Sequence, residues 1–270
     1  MPDPLPVSPD NPPWNSWAAL GVWALSVVFI ILFPNLFLLP YLMTLKLNFA
    51  DQVALVEFAK TDPTAVLLQI TAIIPAHIFT LVLAWLVVTR FRKFSFRKTL
   101  GWRWNGFSVW NCLIILGGFY ILAAIISYFS PEQENDLMRI LQSSRTAVYV
   151  VAFLATFTAP LVEEVVYRGI LYSAFQRAFG VPATVFFVTL LFAVVHVPQY
   201  YPSYSTIFLI CLLSLTLTLI RVRTKNLLPC IALHTAFNGT QSLLMILQPL
   251  IQKYIETHPT DSAILIHLLK

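Results

Sequence analysis

The chain has 270 residues, 58% of them hydrophobic and only 11% charged, with a mean hydropathy of +0.77 and a formal charge of +5. Soluble domains carry roughly a quarter charged residues, so a chain this poor in charge cannot cover itself in water, and a soluble globular domain is excluded in favour of an integral membrane protein. Three cysteines, Cys112, Cys211 and Cys230, lie in separate apolar runs without CxxC spacing, against a disulfide framework or zinc knuckle, and the positive charge sits in loops suited to an anionic membrane surface rather than to nucleic acid.

Residues 1–14 are rich in proline, carry Asp3 and Asp10, and predict a short disordered tail. No basic run precedes the first apolar segment, against the pattern of a cleaved secretory signal. That segment, residues 17–43, can cross a hydrocarbon layer of about 30 Å even if Pro34 and Pro40 bend it. The polar stretch 46–63 shows no clean helical stripe and reads as a loop with an interfacial helix. A second span, 65–88, ends in Arg90, Arg92, Lys93, Arg97, Lys98 and Arg103, interleaved with Phe91, Phe94, Phe96, Trp102 and Trp104, a mixture that an anionic leaflet attracts.

Span three covers 109–129, after which Ser130 and Pro131 predict the N-cap and first turn of an amphipathic helix. Span four runs from 147 through Pro160 to 179, where Gly180 and Pro182 stop it. Spans five (183–197), six (206–220) and seven (227–247) follow, with an aromatic belt at 198–204 and Pro249 bending the extension of the last. Residues 258–270 are apolar but too short for an ordinary span. The expected fold class is all-α, a polytopic membrane protein of seven to eight transmembrane helices around a polar intramembrane cavity. Its expected organisation is a tail (1–14), N-terminal membrane helices with a basic loop (15–105), a core (106–250) and a C-terminal segment (251–270).

If successive spans alternate in direction, the ends of spans two, four and six share one side, which carries the 90–103 cluster, Arg177, Arg221, Arg223 and Lys225. Glu132, Glu134 and Asp136 fall on the other. The positive-inside rule then makes the basic side, and the N-terminus with it, cytoplasmic. A bacterial inner membrane is the default, with a thylakoid or other organelle membrane as the alternative.

Span four holds the feature that most needs explaining. Glu163 and Glu164 are adjacent carboxylates and the only acids between Asp136 and Glu256; buried carboxylates cost several kcal/mol unless paired or wetted. Residues four apart share a helix face, so Glu164 pairs with Arg168. Glu163 is turned away by about 100° and needs a partner from elsewhere. The spacing Phe192-x-x-x-His196 in span five and His234-x-x-x-Asn238 in span seven places further polar groups along single helix faces. Counting residues brings His196 to the depth of the glutamates, whereas His234 lies only about 10 Å into span seven and reaches them if that helix starts deep or tilts. So many polar groups on three apolar spans point to a functional cavity. His77, near Pro75 in span two, stands alone and reads as a packed core residue.

Taken in order, Glu163-Glu164-x-x-x-Arg168, Phe192-x-x-x-His196 and His234-x-x-x-Asn238 resemble the intramembrane proteases of the CAAX prenyl endopeptidase type II (Rce1-like, or CPBP) family, which also includes bacteriocin-processing and immunity homologues. The resemblance extends over residues 100–240, taking in Gly101-Trp102-Arg103 and Thr224-Lys225-Asn226-Leu227. It implies about eight membrane helices around a cavity open to the cytosol, and a peptidase acting near the C-terminus of a membrane-anchored peptide or protein. By the resemblance Glu163 is the water-activating base together with His196, Glu164 and Arg168 are the orienting pair, Phe192 supports them, and His234 and Asn238 hold water or the oxyanion. Between Ile207 and Leu219 no glycine stands where relatives place small residues, and Ser214 takes that place.

The preferred chemistry needs no cofactor. A His₂Glu zinc site of Glu163, His196 and His234 is the rival, although the H-E-x-x-H helix of many zinc proteases is missing. Two other classes stay open: a non-proteolytic scaffold or immunity protein of the same fold, and a transporter, since buried carboxylates also mark ion paths. The expected partners are the lipid bilayer and a membrane-anchored substrate, prenylated or unmodified, with no nucleic acid.

Overall fold

The computed structural model of the chain describes residues 7–45, 47 and 49–257, and every regular element among them is helical. In chain order these are α1 (Ser16–Thr44), α2 (Gln52–Thr61), α3 (Pro63–Thr89), α4 (Phe96–Leu100), α5 (Val109–Phe129), α6 (Asp136–Ser143), α7 (Arg145–Phe179), α8 (Val181–Tyr200), α9 (Tyr204–Thr224) and α10 (Leu228–Thr257). Seven of them, α1, α3, α5, α7, α8, α9 and α10, are long and apolar enough to cross a membrane. The stretch 258–270, noted above as too short to span, lies outside the described residues.

Local chemistry sets the boundaries. Asn15 accepts from the Ala18 amide to start α1, and Asp62 accepts from Ala65 at 2.8 Å to start α3, with Pro63 in its first turn. Ser108 and Asn111 close a capping box on α5. The long α3 is interrupted at Ala72, because Pro75 has no N–H to give to the carbonyl one turn earlier. Gly101 ends α4 with φ +73°, and a Cβ there would stand 2.9 Å from Asn226 Oδ1, so only glycine fits both the turn and the approach. The Gly101 carbonyl then accepts from Leu227 N at 2.8 Å, which ties the basic loop to the start of α10.

Two expectations change, at Ser130 and in the tail. Ser130 ends α5 by donating its amide to Ile126, and the next helix starts later at Asp136, capped by Asn135 through the Met138 amide. Helix α10 continues past the expected end of span seven near residue 247 and through Pro249 to Thr257. The polar stretch 46–63 holds the expected helix, α2, capped by Asp51, and its Lys60 pairs with Asp136 of α6 at 3.2 Å. In the tail expected to be disordered, residues 7–14 are packed against the bundle. Trp14 is buried and donates its Nε1–H to the Ile170 carbonyl. Asp10 pairs with the buried Arg221, and the Arg177 guanidinium donates to the carbonyls of Pro12 and Trp14. The tail is therefore held chiefly because the fully buried Arg221 needs acceptors and takes them from Asp10 and Pro9 as well as Ser173, while the exposed Arg177 adds its bonds from the surface.

Helix α7 is the central post. Every residue from Glu164 to Phe175 is buried, as a helix packed on all sides requires, and α1, α3, α8 and α10 lie against it. Its neighbours turn apolar side chains such as Trp17, Ile114 and Phe129 outward, a surface suited to lipid and not to water.

Candidate active site

The site begins with a backbone irregularity in α7. Two segments, Leu154–Thr158 and Val165–Leu171, have the wider π pitch and flank the α-helical Ala159–Glu164 that carries both glutamates. Ala159 N donates five residues back to Leu154 O. In that register the Ala155 carbonyl would take its bond from residue 160, which is a proline without an N–H. The stranded Ala155 oxygen accepts instead from Asn238 Nδ2 of α10 at 2.9 Å, and this bond joins the third polar motif to the first. In the second π segment, a Cβ on Gly169 would meet Leu100 Cδ2 at 3.2 Å, so the absent side chain is what lets α4 approach.

Glu164 and Arg168 are fully buried and form the expected pair, Nη1 to Oε1 at 2.8 Å. The rest of the guanidinium is held by α9: Nη2 donates to the carbonyl and hydroxyl of Ser214, both at 2.8 Å, and Nε reaches Thr218 Oγ1 at 3.4 Å. Phe192 lies under the same group, 4.7 Å from ring centre to guanidinium carbon. Glu164 Oε1 also accepts from His234 Nδ1 at 2.8 Å. His234 is buried, and Leu227 and Cys230 at the head of α10 are fully buried too, so that helix starts inside the bundle. Glu164 Oε2 is buried with no partner among the described residues.

Glu163 is the more open acid, its side chain 22% exposed. Among the described residues it has no hydrogen bond, and its shortest charged contact is His234 Nε2 at 3.8 Å. The expected neighbour, His196, is not within ion-pair distance of it. That ring stacks on Phe192 with centroids 4.6 Å apart, and its Nδ1 lies 2.7 Å from the Phe192 carbonyl. A carbonyl only accepts, so Nδ1 carries the proton and Nε2 of the neutral ring is an acceptor. The same reasoning at Glu164 puts a proton on His234 Nδ1 and leaves Nε2 to face Glu163. Phe192 meets Arg168, His196 and His234 at once, the last with centroids 6.0 Å apart, and so fixes the spacing of all three.

Three groups were not legible as members of the site. Ser214 was read as a small packing residue and Thr218 was not singled out; their spacing of four on an apolar helix was the available signal, and they hold Arg168. His77, expected to be an isolated core residue, lies within electrostatic range of Glu163 and is bonded to Thr158 at the end of the first π segment. As to a metal, no three His, Cys, Asp or Glu side chains among the described residues gather as a ligand set. Glu163, His196 and His234 as placed do not form the ligand set of a zinc ion.

Residues 145–240 match the family model described as type II CAAX prenyl endopeptidase Rce1-like. The match starts at the first residue of α7 and ends in α10, so it contains Glu163, Glu164, Arg168, Phe192, His196, His234 and Asn238, while Gly101-Trp102-Arg103 and His77 lie outside it. No curated protein and no solved structure matches the chain. Over residues 145–240, the stretch that holds all three polar motifs, the chain is similar to the Rce1-like type II CAAX prenyl endopeptidase family.

Proposed function

We propose that the chain is an intramembrane endopeptidase that hydrolyses a peptide bond of a membrane-anchored substrate with water activated at Glu163. The observation that carries this reading is the division of labour between adjacent acids. Glu164 holds Arg168 and His234 through Oε1, while Glu163 is partly open and without a hydrogen bond among the described residues, facing Nε2 of His234. The gap of 3.8 Å between Glu163 and His234 Nε2 is too long for a hydrogen bond and suits a shared water.

In this reaction Glu163 takes a proton from water as its oxygen attacks the scissile carbonyl. The C–O bond forms, the carbonyl oxygen becomes the oxyanion, and the C–N bond breaks as the proton passes from Glu163 to the leaving amine. A proton that reaches His234 Nε2 instead makes an imidazolium held between two carboxylates. His196, whose Nε2 is an acceptor, orients the water or relays its proton. One amide hydrogen of Asn238 is used by Ala155, and the other remains for the oxyanion, a kind of contact that contributes about 3 kcal/mol. A prenylated CAAX tail is the substrate that the family description suggests.

The test compares wild type with Glu163→Gln in two assays: turnover of a farnesylated CAAX peptide by purified protein, and the membrane proteome of cells carrying either form. Glu163→Gln is expected to lower turnover roughly 10²- to 10⁴-fold and to leave uncleaved membrane proteins that wild type processes. Identical proteomes with no turnover by either form would instead support a non-proteolytic scaffold of the same fold. Chelation with zinc add-back is run alongside, with turnover expected to survive chelation; loss on chelation and rescue by zinc would replace the metal-free reaction with a zinc one.

A further inference from the structure

The first π segment is tied to its surroundings at three successive points. Asn238 takes the Ala155 carbonyl, Thr156 Oγ1 bonds Ser242 Oγ at 3.0 Å, and His77 Nδ1 stands 2.9 Å from Thr158 Oγ1. The first two ties come from α10, inside or at the edge of the matched domain; the third comes from α3, well outside it. Thr158 gives its own hydroxyl proton to the Leu154 carbonyl at 3.2 Å. Its oxygen must therefore accept from His77, which fixes the His77 ring as the Nδ1–H tautomer. His77 Nε2 bonds no described residue, and the ring is buried.

A π turn is an α-helix holding one extra residue, and it can in principle move along the helix by passing that residue on. Each such shift turns the segment between the old and new positions by about 100°. Thr158 is the last residue of the wide turn, and Glu163 follows in the α segment it feeds. Whatever pins Thr158 therefore sets the direction in which Glu163 and Glu164 point. We propose that His77 is a positioning residue of the site: by donating to Thr158 it locks the wide turn in place and so holds Glu163 toward His234. The site thus depends on a side chain from the N-terminal half of the chain.

This inference deepens the peptidase reading, and its test includes a measurement that needs no substrate. Full-length protein in lipid nanodiscs is treated with dicyclohexylcarbodiimide, which modifies carboxyl groups in apolar surroundings, and the labelling rate of Glu163 is followed by mass spectrometry. His77→Ala and Thr158→Val are expected to change that rate by about threefold or more in the same direction, and the double variant to go no further than either single one, as a shared contact requires. His77→Asn places an amide N–H where Nδ1–H stands and should restore the wild-type rate. His77→Gln presents its amide at the Nε2 end and should not.

With the farnesylated peptide, kcat should follow the same ranking while KM holds steady. Thr158→Val is nearly isosteric and keeps the test alive if His77→Ala does not fold. Unchanged labelling in both His77→Ala and Thr158→Val overturns the proposal, and so does rescue by Gln with failure of Asn, which would move the role to Nε2. If wild type does not cleave the peptide, the substrate assignment falls while the labelling result still decides the role of His77.

Discussion

Around Glu164 the buried charges are matched donor by donor, and that makes its partners unequal to their usual substitutes. Arg168 uses a planar fork to reach Glu164, two atoms of Ser214 and Thr218 at once; lysine brings the charge but no fork. Arg168→Ala leaves Glu164 charged without its main partner and is expected to destabilise the protein by about 3–5 kcal/mol. Arg168→Lys should cost less but still abolish turnover. Thermal unfolding in detergent, set beside peptide cleavage, separates the two effects; an active Arg168→Lys variant would show that the charge alone suffices. At this scale much was readable in advance. Spacing of four paired Glu164 with Arg168 and Phe192 with His196, because an α-helix repeats that relation wherever it forms. The histidine beside Glu163 was not readable, since it depends on how deep α10 begins, and that is set by Leu227 bonding to Gly101 rather than by anything within α10.

The element that shapes the site is the irregular part of α7. Apolar length located all seven spanning helices to within a few residues at most ends, because crossing a hydrocarbon layer demands about twenty apolar residues whatever else the chain does. Pro160 was visible in the sequence, but the widening before it was not. A proline removes one donor, and whether the helix answers with a kink, a break or a π turn depends on which group elsewhere can satisfy the stranded carbonyl. Here that group is Asn238, some eighty residues away in the chain. Pro160→Ala returns an N–H that competes with Asn238 for Ala155 O. The helix should gain about 1 kcal/mol from the added backbone bond, and cleavage should fall as the turn loses its outside anchor. A raised unfolding midpoint with reduced kcat is the expected pair of readings; unchanged kcat would mean that the Asn238 bond is dispensable to the geometry.

For the molecule as a whole, the arginines that suggested its orientation do more than mark a side. Arg177 and Arg221 were counted with the basic loops, yet Arg221 is fully buried over the Tyr172 ring, and both are held by the segment before α1. The exposed cations Arg90, Arg92, Lys93, Arg97, Lys98 and Arg103 form no ion pair with any described residue and are the ones that suit an anionic leaflet. Asp10→Ala should lower stability by roughly 1–2 kcal/mol, short of the cost at a fully buried pair because the Asp10 side chain is about a third exposed. An unfolding midpoint equal to wild type would show that the Pro9 carbonyl and Ser173 suffice for Arg221.

The clasp between Asp10 and Arg221 also has a history within each molecule. The two residues are 211 positions apart, so the segment that fastens the bundle is made long before its arginine and waits through the synthesis of six spanning helices before its acceptors meet it. Until α9 is delivered, the Asp10 carboxylate has nothing to hold, and until the clasp closes, Arg221 enters the bundle with its charge unanswered.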